Sequence, residues 1–201
     1  MAGTHPEGSR TGRIMAAGAL MVGWVALLWA LEAVDFATGH ALDTYGITPR
    51  DLTELWDIVP AAFLHGGFGH VAANSLPLLV LGFLAAFGGI RRFAGVVLTV
   101  VVASGLGVWL ASPPGSITLG ASGVVFGLFG YVVVRGFVDR STLDVVVGLL
   151  IAGFYGSILW GVLPTDAGIS WQAHLFGLLG GVAAAFLFRR RRPGPAATPT
   201  S

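Results

Sequence analysis

Six stretches of about 20 residues carry almost no polar side chain, and nothing else in this chain limits its possible folds so severely. They run roughly Ile14 to Val34, Phe68 to Phe87, Phe93 to Ala111, Ala121 to Phe137, Leu143 to Leu163 and Trp171 to Phe188. Each is about long enough to cross ~30 Å of hydrocarbon as a helix. A soluble domain of this size would show polar helix faces. With 55% hydrophobic and 10% charged residues and a mean hydropathy of +0.82, the composition excludes one, since soluble domains carry roughly 25% charge. The expected fold class is an all-α polytopic membrane protein of six transmembrane helices.

Arg10 and Arg13 precede the first apolar run, as in a secretory signal. That run is too long for a signal core and continues past Trp29 to Glu32 and Asp35, so it reads as a retained span. No cysteine is present, which leaves no disulfide framework and no thiol chemistry.

Every basic residue is an arginine. With the N-terminus in the cytoplasm, Arg10, Arg13, Arg91, Arg92, Arg135, Arg140 and the run Arg189 to Arg192 all fall inside, and only Arg50 falls outside. Asp35, Asp43, Asp51, Glu54, Asp57 and Asp166 fall on the other side. Both termini are therefore expected in the cytoplasm, with the arginine run as a topology anchor rather than a lipid-specific site. Residues 1–13 and 189–201 are expected to be cytoplasmic and disordered, flanking a membrane domain over 14–188.

The segment from Phe36 to Gly67 is a long external connection. Within it Pro49 suits a first helical turn, and Leu52, Leu55, Trp56 and Val59 predict a short amphipathic helix lying in the outer membrane face.

Polar groups inside spans call for an explanation, because hydrocarbon penalises them. Ser122 lies thirteen residues from Arg135, or about 20 Å; His174 lies fifteen from Arg189, or about 22 Å; Asn74 to Phe87 is again about 20 Å. Three helices thus bring Ser, His and Asn to one level. Gly123, Gly127 and Gly130 make a smooth face on the fourth span, and His174, Gly177 and Gly181 share a face of the sixth. Close approach of those faces would let His174 take the proton of Ser122, as a serine nucleophile requires. His70 and Asn74, four residues apart on one face, can donate to a developing oxyanion alongside the Ser122 backbone N–H. Zinc on His65, His70 and His174 is the weaker reading. No H-E-x-x-H pair is present and no carboxylate lies at that depth, so no metal is expected.

These residues resemble the rhomboid family of intramembrane serine proteases. The resemblance rests on "HGGFGHVAAN", "GASG", "GYVVVRG" and "AHLFGLLGG", in the family's order and on the corresponding spans, from about Trp56 to Phe188. It implies a six-helix bundle with a water-filled cavity open to the outside. Ser122 would be the nucleophile, His174 the general base, and His70 and Asn74 the oxyanion donors. Gly120 would shape the serine loop, Gly177 would set the approach of the sixth helix, and His65 would support the first loop without a chemical role. The sequence departs from the family where many members have Tyr four residues after the serine, since Phe126 stands here. It departs again where many have Trp-Arg in the first loop, since Trp56-Asp57 stands here. No carboxylate is available to orient His174.

The leading expectation is an endopeptidase cutting in or near transmembrane segments of other membrane proteins, needing no cofactor and residing in a bacterial plasma membrane. Its partners are then protein substrates and the bilayer, with no nucleic acid. The alternatives are an inactive rhomboid-like protein that binds transmembrane helices and, behind it, a small-solute transporter. Transporters tend to show repeats and polar groups at the midplane, and this cluster lies near one face.

Overall fold

The computed structural model describes residues 6–165 and 168–190, with the side chains of residues 6–9 left aside. Asp166 and the greater part of the expected C-terminal tail, 191–201, lie outside the described residues. Six helices account for the architecture: α1 (Pro6–Ala37), α2 (Phe68–Ala86), α3 (Ile90–Ala111), α4 (Ser122–Asp139), α5 (Thr142–Tyr155) and α6 (Trp171–Leu187). Among the described residues there is no strand, only an isolated bridge between Ile47 and Thr118. The all-α polytopic expectation is met. Five helical segments are long and apolar enough to cross a membrane, and α6, at 17 residues, is a shorter apolar helix.

Helix ends differ from the hydropathy reading in physically instructive ways. α1 begins at Pro6, so residues 6–13 of the N-terminal stretch expected to be disordered are helical. Apolar length marks where a helix must exist to cross hydrocarbon, not where it must stop, and proline is preorganised for a first turn. The fifth span, read as one run to Leu163, changes at Gly156 into a 3₁₀ segment, Gly156–Val162.

α4 is the axis of the bundle. Its hydrophobic window is 72% buried, against 11% for the Thr142–Val162 span. It packs on α6, α5, α2 and α3. The α4–α6 contact is backbone on backbone: a Cβ added at Gly177 would overlap the Gly123 carbonyl, and one at Gly181 would overlap the Gly127 carbonyl. Only glycine permits that approach.

The arginine-rich end is tied by ion pairs shielded from water. Arg92 Nη2 meets Asp139 Oδ2 at 2.8 Å, and Arg135 Nη2 meets Asp144 Oδ1 at 2.9 Å. Arg135 Nη1 also donates to the Leu84 carbonyl at 2.7 Å, joining α2, α4 and α5.

The opposite end carries the long connection between α1 and α2. The amphipathic helix expected there does not form; 3₁₀ turns at Leu55–Ile58 and Pro60–Ala62 take its place. Arg50 adopts a left-handed φ of 64°, and the Asp51 carboxylate accepts the Thr53 N–H at 2.8 Å, a local turn that competes with helix. The apolar side chains still face away from the protein, with Leu52 74% and Trp56 59% exposed.

Candidate active site

The loop before α4 ends in Gly120, at a φ of +135° that side-chain-bearing residues rarely adopt. A Cβ there would stand 2.7 Å from the His70 ring. The absence of a side chain thus admits both the turn and the histidine. Ser122 follows as the first residue of α4, where backbone N–H groups have no partner within the helix.

α6 brings His174 to this point. Nε2 of His174 lies 2.8 Å from Ser122 Oγ, and Nδ1 lies 2.8 Å from the Gly161 carbonyl oxygen. A carbonyl accepts only, so the proton belongs on Nδ1, and Nε2 is left to accept from the serine hydroxyl. The Phe126 ring stacks on the imidazole with centroids 4.0 Å apart and planes 7° from parallel. Next to the histidine, the Ala173 carbonyl accepts from Ser104 Oγ of α3 at 2.9 Å.

His70 and Asn74 project from α2 into the same cavity as Ser122, Phe126 and His174. The cavity is large, about 1290 Å³. Ala73 and Pro77 of α2 line it together with Phe154 and Tyr155 of α5 and Trp171 and Gln172 of α6. Asn74 Nδ2 donates to the His70 carbonyl at 3.2 Å, which leaves a second amide hydrogen for another acceptor.

His65 has a different position. Its Nε2 accepts the Ala121 N–H at 3.3 Å, and its ring meets His70 edge to face at 4.9 Å. Burial, with His70 beside it and the Phe63 carbonyl opposing, lowers its pKa to about 4. It is therefore neutral at pH 7 and holds the residue preceding the serine.

Sequence reasoning missed two residues. Gly161 carries out with its carbonyl the orienting job for which no carboxylate was found; a backbone acceptor leaves no trace in residue type. Arg50 donates to the Leu110 and Ser112 carbonyls at 3.2 and 3.0 Å, capping the end of α3, while Trp109 Nε1 donates to the Asp51 carbonyl at 2.9 Å. These contacts anchor the first loop without a Trp-Arg pair. Arg50 did leave a signal, as the one arginine set apart from the others in the charge pattern.

The sequence matches the Rhomboid domain over residues 52–191. It is 39% identical over 183 residues to an uncharacterized protein of Mycobacterium tuberculosis, covering 87% of this chain and 76% of that one. An uncharacterized Mycobacterium leprae protein is 38% identical over 189 residues, covering 90% and 75%. A Bacillus subtilis protein named "Putative rhomboid protease YdcA" is 29% identical over 140 residues, covering 67% of each. With a family match across more than half its length, and with six apolar helices of which α2, α3, α5 and α6 pack on α4, this chain belongs to the rhomboid family.

Proposed function

We propose that the protein is an intramembrane serine endopeptidase that hydrolyses peptide bonds in or near transmembrane segments of other proteins. The observation that carries this reading is the chain of two hydrogen bonds Ser122–His174–Gly161, opening onto a cavity large enough for an unwound peptide.

In this reading Ser122 Oγ attacks the scissile carbonyl carbon while His174 Nε2 takes its proton. The imidazolium keeps its hydrogen bond to Gly161, and the Phe126 face supports its charge. The carbonyl oxygen becomes an oxyanion held by the Ser122 N–H, with Asn74 and His70 as further donors. The Ala121 N–H donates to His65 Nε2 and is therefore not offered to the oxyanion. Collapse expels the amine, which receives the proton from Nε2; water then repeats the sequence on the acyl-enzyme. No step calls for a cofactor. The protein would reside in a bacterial plasma membrane with both termini cytoplasmic, the membrane domain spanning 14–188 and its arginine-rich end inside.

Labelling of purified protein by a fluorophosphonate probe tests the reading. Wild type reacts, and Ser122→Ala and His174→Ala do not. A folded wild type that neither reacts with the probe nor cleaves any transmembrane peptide would instead make this an inactive, helix-binding member of the family.

A further inference from the structure

At the end of α1 away from the arginine-rich face, the chain reverses on two consecutive left-handed residues, Gly39 at φ +71° and His40 at φ +64°. The His40 N–H donates back to the Asp35 carbonyl at 2.8 Å, and a 3₁₀ turn, Ala41–Tyr45, follows. This reversal places His40 and Asp43 over Asp35. His40 Nδ1 lies 3.0 Å from Asp35 Oδ2 and 3.8 Å from Asp43 Oδ2, and one ligand atom from each residue lies within 4.8 Å of the others. Asp35 Oδ1 is already taken by the Leu42 N–H at 2.7 Å, which fixes the carboxylate with Oδ2 facing the group.

A third acid lies close to this group. Glu32, three residues before Asp35 on the same helix face, is only 2% exposed, and neither of its carboxylate oxygens has a hydrogen-bond partner. The Gly67 backbone N–H is close by without completing one, and the charges acting on Glu32 are those of Asp35, His40 and Asp43. Asp43 Oδ1 is also buried and unpartnered. Three carboxylates, two of them 2% exposed, therefore share one imidazole. The chain has no lysine, and the ion pairs of Arg92, Arg135 and Arg190 are spent on Asp139 and Asp144 at the other end. Buried carboxylates without cationic partners cost several kcal/mol each unless neutralised.

We propose that Asp35, His40 and Asp43 bind a divalent transition-metal ion of the zinc class, with the buried carboxylate of Glu32 adding negative charge beside them. One imidazole nitrogen with carboxylate oxygens is a donor set for such an ion rather than for calcium or magnesium, which take oxygen alone. Donors about 2.0–2.2 Å from a tetrahedral ion stand roughly 3.3 Å from each other, between the two separations found here. The ion would close the reversal between α1 and the first loop, remote from Ser122. The spacing D-x4-H-x2-D matches no zinc motif, so the sequence alone raised only the cavity histidines.

The test uses untagged, chelator-treated full-length protein in detergent, titrated with zinc chloride by calorimetry and by thermal unfolding. The expected result is one zinc per chain and a raised unfolding temperature. His40→Gln and Asp43→Asn should each weaken binding at least tenfold, whereas His174→Ala should not. Both substituted side chains are partly exposed, 49% and 37%, and circular dichroism verifies that the variants fold. Zinc affinity that survives both substitutions, or that is lost in His174→Ala instead, overturns the site. So does the absence of saturable zinc binding, or a response to calcium alone.

Discussion

A Cβ placed on Gly161 would stand 2.9 Å from both His174 Nδ1 and Phe126 Cζ. The Gly161→Ala variant should therefore fold yet tilt the imidazole away from Ser122, lowering kcat by about 10²-fold with little change in KM. Steady-state cleavage of a transmembrane peptide reads this directly, and an unchanged kcat would mean that the Nδ1 hydrogen bond does not set the geometry of the base. Asn74→Ala should likewise act on kcat, by about 10²–10³, because an oxyanion donor works in the transition state. An effect confined to KM would make Asn74 a substrate-binding residue. His65 carries a pH dependence. Its pKa is about 4 in the folded protein and about 6.5 when unfolded, so the unfolded chain binds more protons between those values. The stability due to neutral His65 is complete above pH 6.5 and drains away as pH falls toward 4. Unfolding temperatures measured across that window should drop less steeply in His65→Gln, which keeps an acceptor for the Ala121 N–H.

Between elements, the decisive contact is that of α4 with α6, where the Gly177 and Gly181 positions press on carbonyls of the facing helix. Backbone cannot rotate aside as a side chain does. Gly181→Val should cost at least the ~1–3 kcal/mol typical of overpacking and should depress activity with stability, since the same helix carries His174. The glycine spacing made this contact readable from sequence, as did the meeting of Ser122 with His174, because both follow from one helical period. The external loop was not readable in the same way. Leu52, Leu55, Trp56 and Val59 have helical spacing, yet the Asp51 turn and the Arg50 backbone override it, and spacing alone carries no record of side chains that compete for backbone groups. Gly161 was invisible for a related reason: its contribution is a carbonyl, which every residue owns. Arg50→Ala should uncap α3, costing about 1 kcal/mol, less than a buried charged hydrogen bond because the residue is exposed. Limited proteolysis should then cut sooner between residues 47 and 60.

At the scale of the molecule in its bilayer, the proposed topology is open to a direct check, because the chain has no cysteine. In intact cells a membrane-impermeant maleimide should label Thr53→Cys and leave Gly12→Cys unlabelled; the reverse would invert the orientation. Cleavage should then fall within roughly 10 Å of the outer surface, given the depth of Ser122. Moving an Ala-Gly step along a single-span substrate and mapping the products by mass spectrometry locates the cut. α4 and α6, with 18 and 17 residues, extend about 27 and 26 Å at 1.5 Å per residue, short of the ~30 Å that lipid tails ordinarily fill. α4 is enclosed by its neighbours, so it is beside α6 that lipid must compress, and under the proposed activity a client helix of ordinary length arriving there would carry apolar turns in excess of the local thickness. In that reading the surplus turns would meet headgroups and water at the level of Ser122, so that the mismatch itself would help to unravel the client before any side chain touches it. Vesicles of short-chain phosphatidylcholine should erase the excess compression around the protein, and those of long-chain lipid should magnify it, so that cleavage of a transmembrane peptide should vary with bilayer thickness.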